Sequence, residues 1–363
     1  MFFTRLFNQQ RLSAPLIQLA LVAAIIACVA LPSSGQAQVQ PTTRIRIRTA
    51  DGAPVAGALV GLLDASGKIV VEGLSNAEGA RSLSAPEGTY RVQVRRIGFE
   101  PFISEPMAFP RSGDLVLPIT DRAVSLQTVV VTAGARCRSI ETDAAALATV
   151  WEEIAKALRA SQLTMGDLAG IGQFRTYRKD VGPRGKLISS VTNVFKVQNA
   201  RPFGTIDPRV LAIAGYVQGN VTDGWEYYAP DEAVLLSDAF ASTHCFRVVR
   251  DKKRPGLIGV SFEPVAGRRQ SDIAGVLWVQ EKTSELREMT FKFVNVDVIS
   301  RFDAGGRTHF RRMPSGAWLV DEWSLRFPKL EVKESGETFV EIGFVENGGG
   351  IIQDAIPQNN GSS

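Results

Sequence analysis

Histidine is scarce in this chain of 363 residues, which contains only His244 and His309. A zinc site needs histidine, cysteine or carboxylate ligands at characteristic short spacings, and the two histidines with the two cysteines that follow the N-terminal segment give no ligand pair at such a spacing. The sequence also lacks the G-x-S-x-G turn of serine hydrolases, a phosphate-binding loop and the glycine fingerprint of dinucleotide-binding domains. We therefore predict no catalytic residue, no metal and no cofactor.

The sequence also lacks a large excess of charge of one sign. It contains 41 lysines and arginines and 37 aspartates and glutamates, which give a formal net charge of +4. A nucleic-acid-binding domain usually carries a basic stripe, so this balance excludes nucleic acid as the expected partner. Hydrophobic residues make up 45% of the chain, which excludes a largely disordered protein. The length suffices for two or three domains, each with its own core.

Acidic residues are absent before Asp51, and the N-terminus instead carries two arginines ahead of an apolar run over residues 16–31. Small residues follow at Gly35 and Ala37, at the spacing that signal peptidase requires. The run is shorter than the roughly 20 residues needed to cross a bilayer. We therefore predict a signal peptide over residues 1–37 and an exported protein, located in the periplasm or associated with the outer membrane.

Two alternatives remain open for this N-terminal segment. Residues 25–28 (IIAC) resemble a lipobox, in which Cys28 would be acylated and become the mature N-terminus. However, residues 29–31 continue the apolar run, whereas lipoproteins usually turn polar after the cysteine. The other alternative is an uncleaved N-terminal anchor. The small-residue spacing favours cleavage.

Residues 42–118 have the pattern of short strands separated by glycine-containing turns, which predicts a β-sandwich. Residues 43–49 alternate strictly, with isoleucines on one face and Arg44, Arg46 and Arg48 on the other. The arginines form either a solvated outer face that protects an edge strand or an anion-binding stripe, and we favour the first.

Four short segments of this region resemble the carboxypeptidase regulatory-like domain. They are residues 52–58 (GAPVAGA), 76–79 (NAEG), 86–90 (PEGTY) and 95–99 (RRIGF). The resemblance implies a transthyretin-like sandwich of seven or eight strands, placed among the carbohydrate-binding-like folds. It does not extend to a zinc carboxypeptidase, because neither His244 nor His309 begins the His-x-x-Glu pair that such an enzyme needs.

Residues 119–141 form a junction after the predicted sandwich. The segment Gln127, Thr128, Val129, Val130 and Val131 is similar to the TonB box of TonB-dependent receptors. A TonB box works by strand addition, which suits an uncharged β-branched run. The alternative is an ordinary strand or linker. The resemblance implies a TonB-type partner.

Residues 142–346 are predicted to form an α+β domain of one helix and a curved antiparallel sheet, followed by a flexible tail over 347–363. Leu147, Val150, Trp151, Ile154 and Leu158 lie at helical spacing, Asp143 is the expected N-cap, and Glu152 precedes Lys156 by four residues. The adjacent acids Glu152 and Glu153 are expected to be solvated on the helix surface.

The strands that follow the helix resemble the curved sheets of LolA/LolB-like envelope proteins, on the basis of strand order and residues 275–279 and 283–286. This resemblance implies a half-barrel with an apolar concave face and a helix nearby. Trp278, Trp318 and Trp323 are the candidate ligand-binding residues, because aromatic side chains can line an apolar groove or stack on sugars. The alternative, which we favour, is that they pack in the core.

Cys137 and Cys245 are the two cysteines that remain after cleavage, and an even number in an oxidising compartment favours a disulfide. The alternatives are two buried free thiols or intermolecular pairing. A His244–Cys245 nucleophile is also conceivable, but a packed or disulfide-bonded pair is favoured.

The sequence as a whole predicts a mainly β, non-catalytic, exported cell-envelope protein. It would combine a regulatory-like binding or scaffold module with a sheet that binds a hydrophobic or polymeric ligand, which is a carbohydrate, a lipid or a peptide. The expected partner is an envelope protein, a glycan or a lipid. The alternatives are a hydrolase of unknown class and an adaptor for TonB-dependent transport.

Overall fold

The computed structural model describes residues 41–120, 144–167, 172–197, 206–220, 224–296, 299–313, 315–332 and 339–352. These residues belong to one compact unit that begins at Pro41. The predicted signal peptide, the TonB-box-like residues 127–131 and Cys137 lie outside the described residues, so these three assignments stay predictions. Among the described residues, no helix is both long and apolar enough to span a membrane.

The first eight strands form a sandwich of two sheets. They are β1 (Thr42–Arg48), β2 (Leu59–Leu63), β3 (Ile69–Leu74), β4 (Ala80–Ser84), β5 (Gly88–Arg95), β6 (Phe102–Ile103), β7 (Met107–Phe109) and β8 (Leu115–Pro118). One sheet has the order β4-β1-β8, the other has the order β3-β2-β5-β6, and β7 also pairs with β5. Apolar residues from both sheets share one core. The predicted sandwich is confirmed.

Strand β1 shows how the alternating pattern produces this core. Ile45 and Ile47 are fully buried between the sheets, while the arginines point outward, and Arg46 forms an ion pair with Asp114. The prediction of an edge strand is wrong, because β1 is the central strand and pairs with both β4 and β8. The outer face of β1 carries charged residues because it is solvated. Strands β4 and β8 form the two edges of this sheet.

Among the described residues after the sandwich there are one long helix, three short helices and eleven strands. The helices are α1 (Ala144–Asp167), α2 (Pro208–Ala214), α3 (Glu232–Leu235) and α4 (Asp238–Thr243). The strands are β9 (Gly172–Val181), β10 (Leu187–Val197), β11 (Val217–Asn220), β12 (Gly224–Tyr227), β13 (His244–Val249), β14 (Leu257–Pro264), β15 (Asp272–Gln280), β16 (Leu286–Val294), β17 (Gly305–Arg312), β18 (Trp318–Val332) and β19 (Phe339–Ile351). Nine of them form an antiparallel sheet of order β10-β9-β19-β18-β17-β16-β15-β14-β13. The mainly β prediction is confirmed.

Helix α1 lies on one face of the nine-stranded sheet. Val150, Ile154 and Leu158 are at most 1% exposed and share a core with sheet residues such as Phe262 and Phe291. The helix contacts β13 to β16 and β18. The helix expected near the apolar face of this sheet therefore covers that face over these strands, where it occupies the apolar surface that a ligand would have contacted.

Strand β19 runs through Ile351, so the predicted tail is wrong over residues 347–351. The glycines after Asn347 allow close packing within the sheet. A Cβ atom on Gly348 would lie 2.3 Å from the Tyr177 ring, and one on Gly350 would lie 2.4 Å from the Asp321 carbonyl oxygen. Here glycine is needed for contact with neighbouring strands.

Candidate functional site

The sandwich packs directly against helix α1 and the nine-stranded sheet. Leu59 of β2 and Leu74 of β3 are buried in the apolar cluster of α1 and the large sheet, while Val60 and Leu62 face the sandwich core. The sheet that contains β2 and β3 is therefore apolar on both faces. This arrangement fixes the sandwich to the rest of the protein.

A buried ion pair on α1 holds the loop between β5 and β6. Lys156 Nζ lies 2.7 Å from Glu153 Oε1, and both side chains are 1% exposed. The amide N–H of Gly98 donates to Glu153 Oε2 at 2.7 Å, and Lys156 Nζ donates to the Phe99 carbonyl at 2.9 Å. Because a buried charge is costly unless it is paired and hydrogen-bonded, these four groups stabilise one another.

The expectation that Glu153 is solvated is wrong, and the pairing of Glu152 with Lys156 is replaced by the i,i+3 pair. The sequence shows that these residues lie on a helix, but it does not show which helix face meets the sandwich. A lysine and a glutamate three positions apart are common on exposed helices. The RRIGF segment was singled out for its resemblance alone, although it supplies the amide and the carbonyl that this pair binds.

Burial raises the pKa of Glu153, and the Lys156 charge together with the Gly98 amide reverses only part of that shift. The carboxyl therefore binds its proton more tightly in the folded protein than in the unfolded chain. Next to this pair, Glu72 of β3 accepts from Arg95 at 2.8 Å and from Arg159 of α1 at 2.7 Å. Charged contacts thus flank the apolar contact between sandwich and helix.

A cavity of about 240 Å³ lies between the sandwich and the large sheet, and we call it the interlayer pocket. Residues 96–99 line its sandwich side, and residues 282–285, in the turn between β15 and β16, line its sheet side. Four further residues complete the lining, namely Gly57, Arg312, Gly316 and Trp318. Both layers are needed to form the pocket.

Gly57 and Gly316 bring the two layers into backbone contact beside the pocket. Gly57 has φ +70°, and a Cβ atom on it would lie 2.1 Å from the Gly316 carbonyl oxygen. Gly57 belongs to the GAPVAGA segment and Gly98 to the RRIGF segment. Two of the four segments that carry the family resemblance therefore form the contact with the large sheet.

The three candidate tryptophans do not form one groove. Trp318 is 1% exposed, lies in the core and lines the interlayer pocket. Trp323 packs against the same core while partly exposed. Trp278 is also buried, at 6% exposed, but lies outside this cluster, with the Arg254 guanidinium 5.0 Å from its ring centroid. Packing within the protein accounts for all three, and a ligand-binding role remains a prediction.

His244 is buried in a second charged cluster. Its Nε2 lies 3.0 Å from Asp272 Oδ1, its Nδ1 lies 3.1 Å from the Phe240 carbonyl oxygen, and its ring stacks on Phe240. Asp272 is fully buried and also pairs with Arg268. Both ring nitrogens of His244 are engaged. Among the described residues, no group of three or more histidine, cysteine or acidic residues could hold a metal ion.

Cys245 is 4% exposed at the start of β13, and its proposed partner Cys137 lies outside the described residues. The ring of Trp151, in the N-terminal half of α1, lies 5.1 Å from that of Phe246. The N-terminal half of α1 thus packs against β13. The Cys137–Cys245 disulfide stays a prediction.

We expect the oxidised protein to contain this bridge and the Cys137→Ala variant to be less stable by about 2–4 kcal/mol, because the bridge closes a long loop in the unfolded chain. Peptide mass mapping without reduction identifies the linkage, and denaturant unfolding measures the loss. Reduction serves as the control, since it should destabilise the wild type and leave the variant unchanged. Two titratable thiols in the native oxidised protein would contradict the pairing.

Residues 42–136 match the sequence model of the carboxypeptidase regulatory-like domain, so the match extends beyond the predicted boundary at residue 118. No curated protein matches the chain. Among solved structures, a streptococcal ancillary pilin is 10% identical over 55% of this chain and 61% of its own length, with a TM-score of 0.19.

Two further structures show the same low similarity. The Bacillus anthracis TIE protein is 10% identical over 70% of this chain and 45% of its own length, with a TM-score of 0.19. BcpA, the major pilin subunit of Bacillus cereus, is 9% identical over 88% of this chain and 96% of its own length, with a TM-score of 0.21. These TM-scores are too low to support an argument. The family match and the observed sandwich agree: residues 42–136 of this chain carry a carboxypeptidase regulatory-like domain.

Proposed function

We propose that this chain is a non-catalytic, exported cell-envelope protein in which the regulatory-like domain and the C-terminal sheet form one scaffold for a hydrophobic or polymeric ligand. The observation that carries the proposal is the contact between the layers. The Glu153–Lys156 pair and the Gly57–Gly316 approach join the sandwich directly to helix α1 and to the sheet. A module attached in this way acts as part of a rigid binding surface.

Two observations support a non-catalytic role. The matched domain belongs to a regulatory-like family, and fold similarity alone carries no catalytic function. His244, one of two histidines that a hydrolase would use, has both ring nitrogens engaged and is 4% exposed. A general base must reach a substrate proton, and His244 faces the protein interior.

Strand β10 offers the surface that a hydrophobic or polymeric ligand would use. Leu187, Ile188, Val191 and Val194 are between 55% and 59% exposed along this strand. Within the described part of the chain, β10 pairs only with β9 and therefore leaves one edge open. Because side chains alternate along a strand, these residues place exposed apolar groups on both faces of β10, and an open edge can add a peptide strand.

We expect the purified protein to co-sediment with purified peptidoglycan, with phospholipid vesicles or with an immobilised extended peptide. Val191→Lys with Val194→Lys should weaken this binding by about tenfold or more, because the two lysines place a charge on each apolar face of the open edge strand. Val116→Lys is the matched control, since Val116 is 57% exposed on β8 of the sandwich. Absence of binding to all three materials, or an equal loss in the control variant, would contradict the proposal.

A further inference from the structure

The interlayer pocket contains a buried hydrogen-bond donor that has no acceptor. Trp318 is 1% exposed, and its indole Nε1 has no hydrogen-bond partner within the described residues. Its backbone N–H, by contrast, donates to Thr164 Oγ1 at 3.1 Å. A buried indole N–H usually finds a partner. Since Trp318 lines the pocket, an acceptor bound there would satisfy this donor.

The charged residues of the pocket are mostly cationic. Arg96, Lys282 and Arg312 line it, with Glu285 as the single acid among the lining residues. Lys282 is exposed and forms no ion pair with any described residue. The Glu285 charge is offset by Arg287, whose Nη2 lies 2.7 Å away, and by Arg312 at 3.9 Å. The resulting excess of positive charge in the lining favours the binding of an anion.

Arg312 places one of these positive charges next to Trp318, whose indole N–H is the donor left unpaired by the described residues. Arg312 of β17 is the direct cross-strand partner of Trp318 in β18. Its side chain is 38% exposed, and its contact with Glu285 at 3.9 Å is longer than a hydrogen bond. The guanidinium therefore retains donors for a second acceptor, in the same lining as the indole.

We propose that the interlayer pocket binds an oxyanion, a carboxylate or a phosphate monoester carried by a larger ligand, through the Trp318 indole N–H and the charges of Lys282 and Arg312. The cavity of about 240 Å³ is smaller than the roughly 300–1,000 Å³ typical of sites that enclose a whole small molecule. It therefore accommodates a terminal group. The proposal is independent of ligand binding at β10, which uses different residues.

The test follows the tryptophan indole signals of the full exported protein by ¹H–¹⁵N NMR at constant ionic strength. The probes are methyl phosphate, acetate and the neutral analogue acetamide, and the Trp318→Phe variant assigns the Trp318 signal. We expect a saturable shift of that signal with methyl phosphate, with acetate or with both, and none with acetamide. Methyl phosphate alone indicates a phosphate-bearing ligand, and acetate alone indicates a carboxylate.

Lys282→Gln and Arg312→Gln should each weaken anion binding by about tenfold, since each removes a charge-assisted contact. Arg44→Gln is the matched control, because Arg44 is an exposed arginine of β1 outside the pocket. Thermal unfolding confirms that each variant is folded. The proposal is overturned if neither anion gives a saturable shift, if acetamide acts equally, or if the pocket variants bind like the control.

Discussion

Replacing Lys156 with methionine lowers the free energy of unfolding by about 3–5 kcal/mol, the range expected when one partner of a buried ion pair is removed. Methionine preserves the length of the side chain but leaves the Glu153 carboxylate buried without its cation. The Phe99 carbonyl also loses the donor that lies 2.9 Å away. Denaturant unfolding at pH 7 measures the loss.

Two further variants identify the cause. Glu153→Gln combined with Lys156→Met should recover most of the loss, because the amide oxygen still accepts from Gly98 and no uncompensated charge remains. Lys186→Met replaces an exposed lysine and should change stability by less than about 0.5 kcal/mol. A Lys156→Met loss that matches the Lys186→Met change would show that the pair does not stabilise the interface.

The pH dependence provides a second signature of the same pair. The pKa of Glu153 is raised by burial above its ordinary value of 4.5, so its proton-linked stabilisation is complete below that value and declines as the pH rises through the folded-state pKa. Lys156 lowers this pKa in part, so Lys156→Met should raise it further. The destabilisation by Lys156→Met should therefore be smaller at pH 4 than at pH 7, with no such trend in the double variant.

Replacing Gly57 with alanine should lower the free energy of unfolding by about 2–5 kcal/mol. The left-handed backbone costs an alanine about 1–2 kcal/mol, and the overpacked contact adds about 1–3 kcal/mol. The contact is severe because the nearest atom is the Gly316 carbonyl oxygen, 2.1 Å from the added Cβ. This carbonyl belongs to the turn between β17 and β18, so it cannot move aside as a flexible side chain would.

Gly67→Ala separates these two contributions. Gly67 has φ +83°, close to that of Gly57, and nothing lies within 4 Å of a Cβ at this position. It should therefore show only the backbone cost of about 1–2 kcal/mol. The difference between the two variants, from chemical denaturation, measures the contact between sandwich and sheet. Equal losses would show that the Gly57 contact relaxes without cost.

Local patterns were sufficient to predict most of the individual elements. The alternation in β1 predicted which isoleucines are buried, and the spacing of Val150, Ile154 and Leu158 predicted the buried side of α1. Such predictions succeed because side-chain direction follows from the backbone period within a single strand or helix. The glycine-containing segments likewise indicated the carboxypeptidase regulatory-like domain without any knowledge of how its strands pair.

The predictions that failed all depend on what packs against an element. Glu153 was expected in solvent, and β1 was expected at the edge of its sheet. Residues 347–351 were expected in a flexible tail, yet they pair with β9 and β18. In each case the local sequence is compatible with both a solvent-exposed and a packed position. A segment far away in the chain decides between them, and the local sequence does not reveal which segment that is.

The sequence by itself therefore determined the sandwich strands, the helix and the regulatory-like family, because these depend on periodicity and turn chemistry within short segments. Only the tertiary structure decided that α1 covers the sheet and that the RRIGF loop receives the Glu153–Lys156 pair. Only the tertiary structure placed Trp318 beside Arg312 and Lys282 in one pocket. The physical reason is that burial and charge compensation are properties of two surfaces in contact, and the two surfaces come from segments far apart in the chain.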